Sequence, residues 1–387
     1  MYKKTHRDIT SLLEIYANSF RSVLIVGPRQ SGKTTLARDT FPNKPYVSLE
    51  NPDECELAFQ DPRAFLNRYP NGAILDEVQR APLLLNYLQE LLDNTDEDGL
   101  FILTGSNNIL LQDHITQTLA GRIGVLDLLP LSYNEIHKQV PTSDIMDLIV
   151  HGFYPEVIAK KRNPAMWYAS YIRTYVERDV RQIKQIEDGL LFQKFLRLCA
   201  GRTGQQLNIA ALSNACGINV RTAHSWISIL ESTYVVRLLQ PFHENYNKRI
   251  VKSPKLYFCD TGLVCALLNI KTTNELQLSH FRGALVENFI IMEFLKNSLN
   301  FQSGENFFYW RDNNGVEIDL IQQNGSVLLP IEIKSAQTFT KDFSSNLKKF
   351  MSYSGLNKGL LIYDGPQEFI GSDGVKVANW RSLLTRN

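Results

Sequence analysis

Residues Val23–Arg38 read VLIVGPRQSGKTTLAR, and the chain is organised around this stretch. Val23 to Val26 have the character of a buried strand, Gly27-Pro28-Arg29-Gln30-Ser31-Gly32-Lys33-Thr34 follows, and Thr35, Leu36 and Ala37 resume a helical pattern. The spacing is that of a phosphate-binding loop. Glycines let backbone N–H groups turn inward around a polyphosphate, Lys33 supplies a point charge at the β and γ oxygens, and the Thr34 hydroxyl can ligate Mg²⁺. The anion also lies at a helix N-terminus, where unpaired N–H groups and the helix dipole favour it.

On either side of the loop the pattern continues as alternating helix and strand. Ile9, Leu12, Leu13, Ile15, Tyr16 and Phe20 recur at mostly helical spacing, Tyr46–Leu49 reads as a second strand, and Gly72–Leu75 is a short apolar run ending in Asp76-Glu77. Two acids at a strand's end supply the other half of a nucleotide site: Asp76 can hold Mg²⁺ through water, and Glu77 can orient or deprotonate the attacking water. Leu100–Leu103 is a further strand, closing on Thr104-Gly105-Ser106-Asn107, whose side chains can touch the γ-phosphate or the water. In an open parallel sheet, ligands collect beyond the carboxyl ends of the strands.

A length of 387 residues points to two or three domains, and 44% hydrophobic with 21% charged residues is globular composition. The net charge of +1 excludes a strong global attraction to nucleic acid or anionic membrane, so any DNA contact must be local. Cys55, Cys199, Cys216, Cys259 and Cys265 are scattered among apolar neighbours without zinc spacing, which predicts reduced thiols in a cytoplasmic protein. No apolar run has the length of a membrane span, and MYKKTHRDIT is not followed by a signal core.

The set GPRQSGKTT, ILDEVQ, LTGSN and LAGRIGVLDLLPLSYNEI resembles the AAA+ P-loop ATPases of bacteria and archaea that carry a C-terminal domain of unknown function with a restriction-endonuclease-like fold. HGFYPEV, YVERDVRQI, VKSPKLYFCDTGL, GALVENF, EIDLI and PIEIKSA extend the resemblance over nearly the whole chain. The resemblance implies ATP and Mg²⁺ as ligands. It puts Gly27 to Thr35 on the phosphates, Thr34 and Asp76 on the metal, Glu77 as catalytic base, and Ser106 or Asn107 as the sensor. Arg122, in LAGRI, is either an arginine that reaches a γ-phosphate, in this chain or in a neighbouring subunit, or a helix-end arginine contacting a carboxylate.

Residues 143–185 are helical in pattern, with Trp167, Tyr171, Tyr175, Val176, Val180 and Ile183 in an apolar stripe. Arg173, Glu177 and Arg181 form an i, i+4 ladder, or else Arg178 or Arg181 senses nucleotide. Ile209–Cys216 predicts a helix, Gly217 a turn, and Asn219 or Thr222 the cap of a second helix through Ser232. Tyr234–Leu239 and Leu256–Phe258 predict strands, completing a winged helix-turn-helix. Lys248, Arg249, Lys252 and Lys255 place positive charge on the wing, suited to DNA or to domain packing alike.

Residues 270–281 read as a linker into the last domain. There Glu287 shares a helix face with Ile290, Ile291 and Phe294, a costly position for a carboxylate that lacks a partner or metal. Val316, Ile318 and Leu320 alternate with Glu317 and Asp319, and Ile331 and Ile333 with Glu332 and Lys334. The arrangement resembles a PD-(D/E)xK nuclease core: Asp319 and Glu332 bind Mg²⁺, Lys334 positions or activates the attacking water, and Glu287 supports the site. Ile318 stands where the motif has proline.

The expected architecture is an α/β P-loop core over 1–142, a helical lid or connector over 143–187, a winged helix over 188–269 and a nuclease-like α/β domain over 281–387. The expected function is an ATP-binding, ATP-hydrolysing switch that acts on DNA. The alternative is an NTP-gated protein-interaction module with an inactive nuclease-like domain. A second copy of the chain or another protein is the further partner.

Overall fold

A computed structural model describes residues 5–106, 119–140, 144–176, 188–242 and 253–385, with Tyr175 and Val176 described by backbone alone. The phosphate-loop strand is central to the first sheet. β1 (Ser22–Gly27) lies between β4 (Phe101–Ser106) and β5 (Ile123–Asp127); β3 (Ile74–Asp76) and β2 (Tyr46–Ser48) continue beyond β4, and every pairing is parallel. A parallel sheet is covered on both faces, so its strands are apolar throughout. All six residues of β1 are buried. Val23 and Ile25 pack with Leu13, Leu36 and Ala37 of the helices Thr10–Ala17 and Lys33–Thr40, while Leu24 and Val26 face Leu85, Leu88 and Leu92 of helix Leu84–Asp93.

The stretch expected to run as helix from 143 is cut into pieces by its own sequence. Helices Ile145–His151, Pro155–Ala159 and Pro164–Tyr171 are followed by a π-helical turn over Ile172–Val176. Pro155 and Pro164 sit at first helical turns, where a missing N–H costs nothing, and Asn163 caps the third helix. Gly152 joins the first two with φ +67°; a Cβ there would lie 2.0 Å from the Tyr168 hydroxyl and 2.6 Å from Asp260 Oδ1. The buried Asp260 accepts hydrogen bonds from Tyr168 Oη (2.6 Å), Phe153 N (2.7 Å) and Leu263 N (3.1 Å), so HGFYPEV and FCDTGL meet in one buried hub.

Helices Gly189–Ala200, Ile209–Cys216 and Val220–Ser232 follow, then β6 (Val236–Leu239) antiparallel to β7 (Lys255–Phe258). Gly217 ends the second helix at φ +83°, and Asn219, not Thr222, caps the third. Trp226 is buried against Phe192 and Phe195. The 270–281 linker contains helix Thr273–Leu278. Thr272 and Glu275 form a capping box and Leu276 is fully buried, which is enough to fold a segment whose polar composition suggested a loop.

The last region is a mixed sheet in the order β12 (Phe369–Ile370), β13 (Val375–Asn379), β11 (Gly359–Tyr363), β10 (Val327–Ile333), β9 (Glu317–Asn324) and β8 (Asn306–Arg311). Helix Arg282–Phe301 packs on one face and helix Ser345–Ser354 on the other. Two junctions tie this region to the others. Tyr309 of β8 exchanges backbone hydrogen bonds with Gln240 and Phe242 just beyond β6, and the buried Glu293–Lys296 pair binds Tyr133 N (2.6 Å) and Leu131 O (2.8 Å) of the first region. Cys199, Cys216, Cys259 and Cys265 are buried free thiols and Cys55 is half-buried. Among the described residues no helix is long and apolar enough to cross a membrane.

Candidate functional site

The parallel sheet brings the ends of β1, β3 and β4 to one edge, with Gly27 in register with Ser106 and Asp76 closing β3. Gly27 has φ +155° and a Cβ there would lie 2.1 Å from the Leu128 carbonyl oxygen, so only glycine fits; Gly32, at φ +96°, caps helix Lys33–Thr40. Lys33 is buried and its ammonium donates to the carbonyls of Gly27 (3.0 Å) and Pro28 (2.9 Å). Burial pushes its pKa down to about 8 against the pull of Glu77 and Asp76.

Asp76 is buried among neutral donors. Its Oδ1 accepts from the Thr34 hydroxyl (2.8 Å) and from that of Thr104, and its Oδ2 from Tyr46 Oη (2.9 Å). Glu77 follows with φ +59° and ψ +47°, a left-handed conformation that a non-glycine residue adopts only where surrounding structure imposes it. Its backbone N–H donates to Thr104 Oγ1 (3.4 Å), and Gln79 Nε2 bridges the Glu77 carboxylate to Ser106 Oγ (2.9 Å). Gln30, inside the loop, is also left-handed, and the side-chain oxygen of Ser31 is buried with no partner among the described residues. Arg29 pairs with Glu50 (3.2 Å), while Thr35 lines a cleft of about 700 Å³ with Arg7, Thr10, Gly32 and Pro155.

Several residues at this edge carry no sequence signal of their own. Arg7 is buried far upstream and holds the loop: it donates to Ser31 O (2.7 Å), Leu129 O (2.8 Å) and Glu135 Oε1 (2.9 Å). Tyr171 Oη donates to Arg29 O (3.5 Å) and meets Tyr154 Oη at 2.9 Å. Tyr46 and Gln79 stood inside a recognised strand and motif without a role, and Thr104, read as able to touch the phosphate or the water, instead holds Asp76.

Arg122 is a correction. It precedes β5 with its carbonyl bonded to Ser22 N, at the amino end of β1, roughly 17 Å along the strands from the loop. Its guanidinium pairs with Asp93. It therefore reaches no phosphate held by its own chain's loop, and within this chain it binds a carboxylate. Asn107, Arg178, Arg181, Lys248, Arg249 and Lys252 lie outside the described residues.

Lys255 decides between the two uses read for the wing's charge: its side chain is 2% exposed and packs into the carboxylate cluster of the last sheet. Its ammonium lies 2.9 Å from Glu287 Oε1, 2.5 Å from Glu317 Oε1 and 4.0 Å from Asp319 Oδ1. Burial opposes the Lys255 charge, but Glu287, Asp319 and Glu317 outweigh it and raise the pKa above the usual lysine range. Tyr257 Oη also donates to Glu287 (2.5 Å). Asp319 Oδ2 accepts from Ile333 N (2.8 Å), Glu332 Oε1 meets Lys334 Nζ at 2.6 Å, and Glu332 Oε2 is buried with no partner among the described residues. Burial, then Glu287 and Glu332, push the Asp319 carboxyl well above the usual carboxylate range.

The polar face of β9, read as part of a metal site, is thus met by Lys255 of β7 from the preceding region. The metal implied for this cluster does not fit the arrangement, because the Lys255 ammonium stands among the carboxylates that would ligate it. Among the described residues no group of three or more His, Cys, Asp or Glu is placed to hold a metal ion.

The loop lies at the carboxyl edge of a parallel sheet, between its first strand and a helix, and residues 19–137 match the AAA domain. Residues 142–274 and 282–383 match two domains of unknown function, DUF8612 and DUF4143. The chain is 29% identical over 384 residues to uncharacterized proteins of Mycobacterium bovis and Mycobacterium tuberculosis, covering 98% of this chain and 84% of each of those. Among solved structures it is similar to a Walker-type ATPase of Pyrococcus abyssi (15% identity, TM-score 0.45, 67% of this chain and 95% of that one). It is also similar to a RuvB of Thermotoga maritima (16% identity, TM-score 0.34, 63% and 94%).

Proposed function

We propose that the protein is an ATP-hydrolysing switch. The observation that carries this reading is the Thr34–Asp76–Thr104 hydroxyl–carboxylate group at the edge of the sheet, with Glu77 held in a left-handed turn beside it. Thr34 and Asp76 offer the hard oxygen donors that suit Mg²⁺, and they would hold it. When bound, the metal neutralises charge on the phosphates. The chain's own residues do the rest. Backbone N–H groups of Gly27 to Thr34 cradle the phosphates, and Lys33 leaves two loop carbonyls for their oxygens. Gln79 and Ser106 orient the Glu77 carboxylate, which takes the proton of the attacking water. The cleft beside Arg7 and Pro155 takes the base and ribose.

Two contacts support a coupled output. Tyr171 links the loop backbone to the helices around Asp260, and Arg7 links it through Glu135 to the turn at Ser132–Tyr133 that docks Glu293. In this reading the chain divides into an AAA core over 1–142, a connector over 143–187, a winged helix over 188–269 and a PD-(D/E)xK-like domain over 281–387. The covered carboxylate cluster favours an inactive nuclease-like domain, so output passes through the winged helix to DNA or to a protein.

Steady-state phosphate release by the full chain, with and without duplex DNA, tests the proposal. Mg²⁺-dependent release is expected, and its absence under both conditions would remove the hydrolytic part. A steep fall of DNA affinity with salt would mark phosphate contacts; no DNA affinity at low salt would leave the protein partner.

A further inference from the structure

Four carboxylates, Glu287, Glu317, Asp319 and Glu332, converge where helix Arg282–Phe301 meets β9 and β10. Lys255 enters this group from β7, a strand that belongs to another region of the chain. It touches two of the four within 2.9 Å and a third at 4.0 Å, and its side chain is almost wholly removed from water. Neighbouring contacts fix its position from several directions. Tyr309 of β8 packs its ring 5.6 Å from the ammonium and donates its hydroxyl to Ser253 O (2.5 Å), while Gln206 and Lys255 form a backbone bridge. The backbone bonds of Tyr309 with Gln240 and Phe242 join β8 to the chain just beyond β6, beside β7.

A lysine ammonium and a hydrated divalent ion compete for the same carboxylate oxygens, and a tethered ammonium competes at high effective concentration. We propose that Lys255 is the resident cation of the C-terminal carboxylate cluster, standing where a nuclease would hold its metal and clasping the middle region to the last. Glu287 and Glu317 receive the ammonium, Lys334 takes Glu332, and the cluster binds no divalent ion while β7 stays in place. Metal-dependent cleavage at Asp319 would first require β7 to withdraw. This inference is independent of ATP turnover, since its readout is metal binding without nucleotide.

The test is Mn²⁺ binding to the nucleotide-free full chain, followed by electron paramagnetic resonance, for the wild type and for Asp319→Asn, Lys255→Met and the double variant. The wild type is expected to show no Mn²⁺ that Asp319→Asn removes. Lys255→Met, checked for folding by circular dichroism, is expected to bind Mn²⁺ at least about tenfold more tightly than the wild type, to gain thermal stability from it, and to lose both effects in the double variant. A wild-type Mn²⁺ site that Asp319→Asn abolishes would overturn the proposal, and this arm does not depend on Lys255→Met folding. So would a folded Lys255→Met that binds no more Mn²⁺ than the wild type.

Discussion

Two sites in this chain set a buried lysine among carboxylates at the edge of a sheet, and they treat the charge in opposite ways. At the phosphate loop, Lys33 rests on the neutral carbonyls of Gly27 and Pro28, Asp76 rests on neutral hydroxyls, and burial lowers the lysine pKa to about 8. In the C-terminal cluster, Lys255 rests on the carboxylates of Glu287 and Glu317, which hold its charge against burial. Neutral partners are given up readily when an anion or a metal arrives. Ionic partners are not, because each ion left behind would lose its main charge partner in a place largely withdrawn from water. The first site keeps its lysine and its aspartate on neutral partners, and the second ties Lys255 and Lys334 to carboxylates, with Glu332 Oε2 left without a partner among the described residues.

The largest expected effect tests the second half of this contrast. Lys255→Met should cost about 3 kcal/mol of stability, since it takes the shared ammonium from Glu287 and Glu317, which are mostly withdrawn from water, and leaves them only Tyr257 and Arg311 respectively. Chemical denaturation of the full chain would measure it, and a loss below about 1 kcal/mol would mean that the pair is solvated. Glu77→Gln should lower phosphate release at least ~100-fold while ATP remains bound. Normal turnover in that variant would move the base elsewhere.

Lys33→Met should act in the reverse direction to Lys255→Met. A lysine whose folded pKa lies below its unfolded value is charged at a cost, which is full below about pH 8 and fades as pH rises toward the unfolded value. Its removal should therefore raise stability at pH 7 by on the order of 2 kcal/mol, while ATP affinity falls. Destabilisation by Lys33→Met would erase the contrast.

Smaller still, ATP affinity should decline by up to ~tenfold per pH unit above about pH 8, as the free site loses the Lys33 proton that phosphate favours. Calorimetry in buffers of different ionisation enthalpy should then show proton uptake on binding. Arg122→Ala should change turnover by less than about twofold, because its exposed pair with Asp93 lies at the far edge of the sheet.

The two sites were also unequally legible in the sequence. Gly27 to Thr34, Asp76 and Glu77 are local: each lies on or beside a strand whose apolar run announces it, and a parallel sheet puts all strand ends at one edge. Arg7 and Tyr171 come from elements packed around the loop, with nothing in their own surroundings to mark them. The cluster at Asp319 was legible as alternating strands, but alternation is silent on what covers the polar face. Lys255 sits in VKSPKLYF beside other basic residues, and local composition left DNA and domain packing equally open. Its burial arises from the meeting of β7 with β9 and helix Arg282–Phe301, a contact between regions far apart in sequence. The same distance hid helix Thr273–Leu278, although its capping box, Thr272 with Glu275, was a sign in plain sequence.

The most direct test of the account is the metal content of the full chain after equilibrium dialysis against Mn²⁺, with and without saturating ADP. The account predicts about one equivalent per chain with nucleotide, lost in Lys33→Ala, and about none without it. One equivalent bound without nucleotide and lost in Asp319→Asn would contradict it, because the C-terminal cluster would then be the metal site and Lys255 would not be its cation.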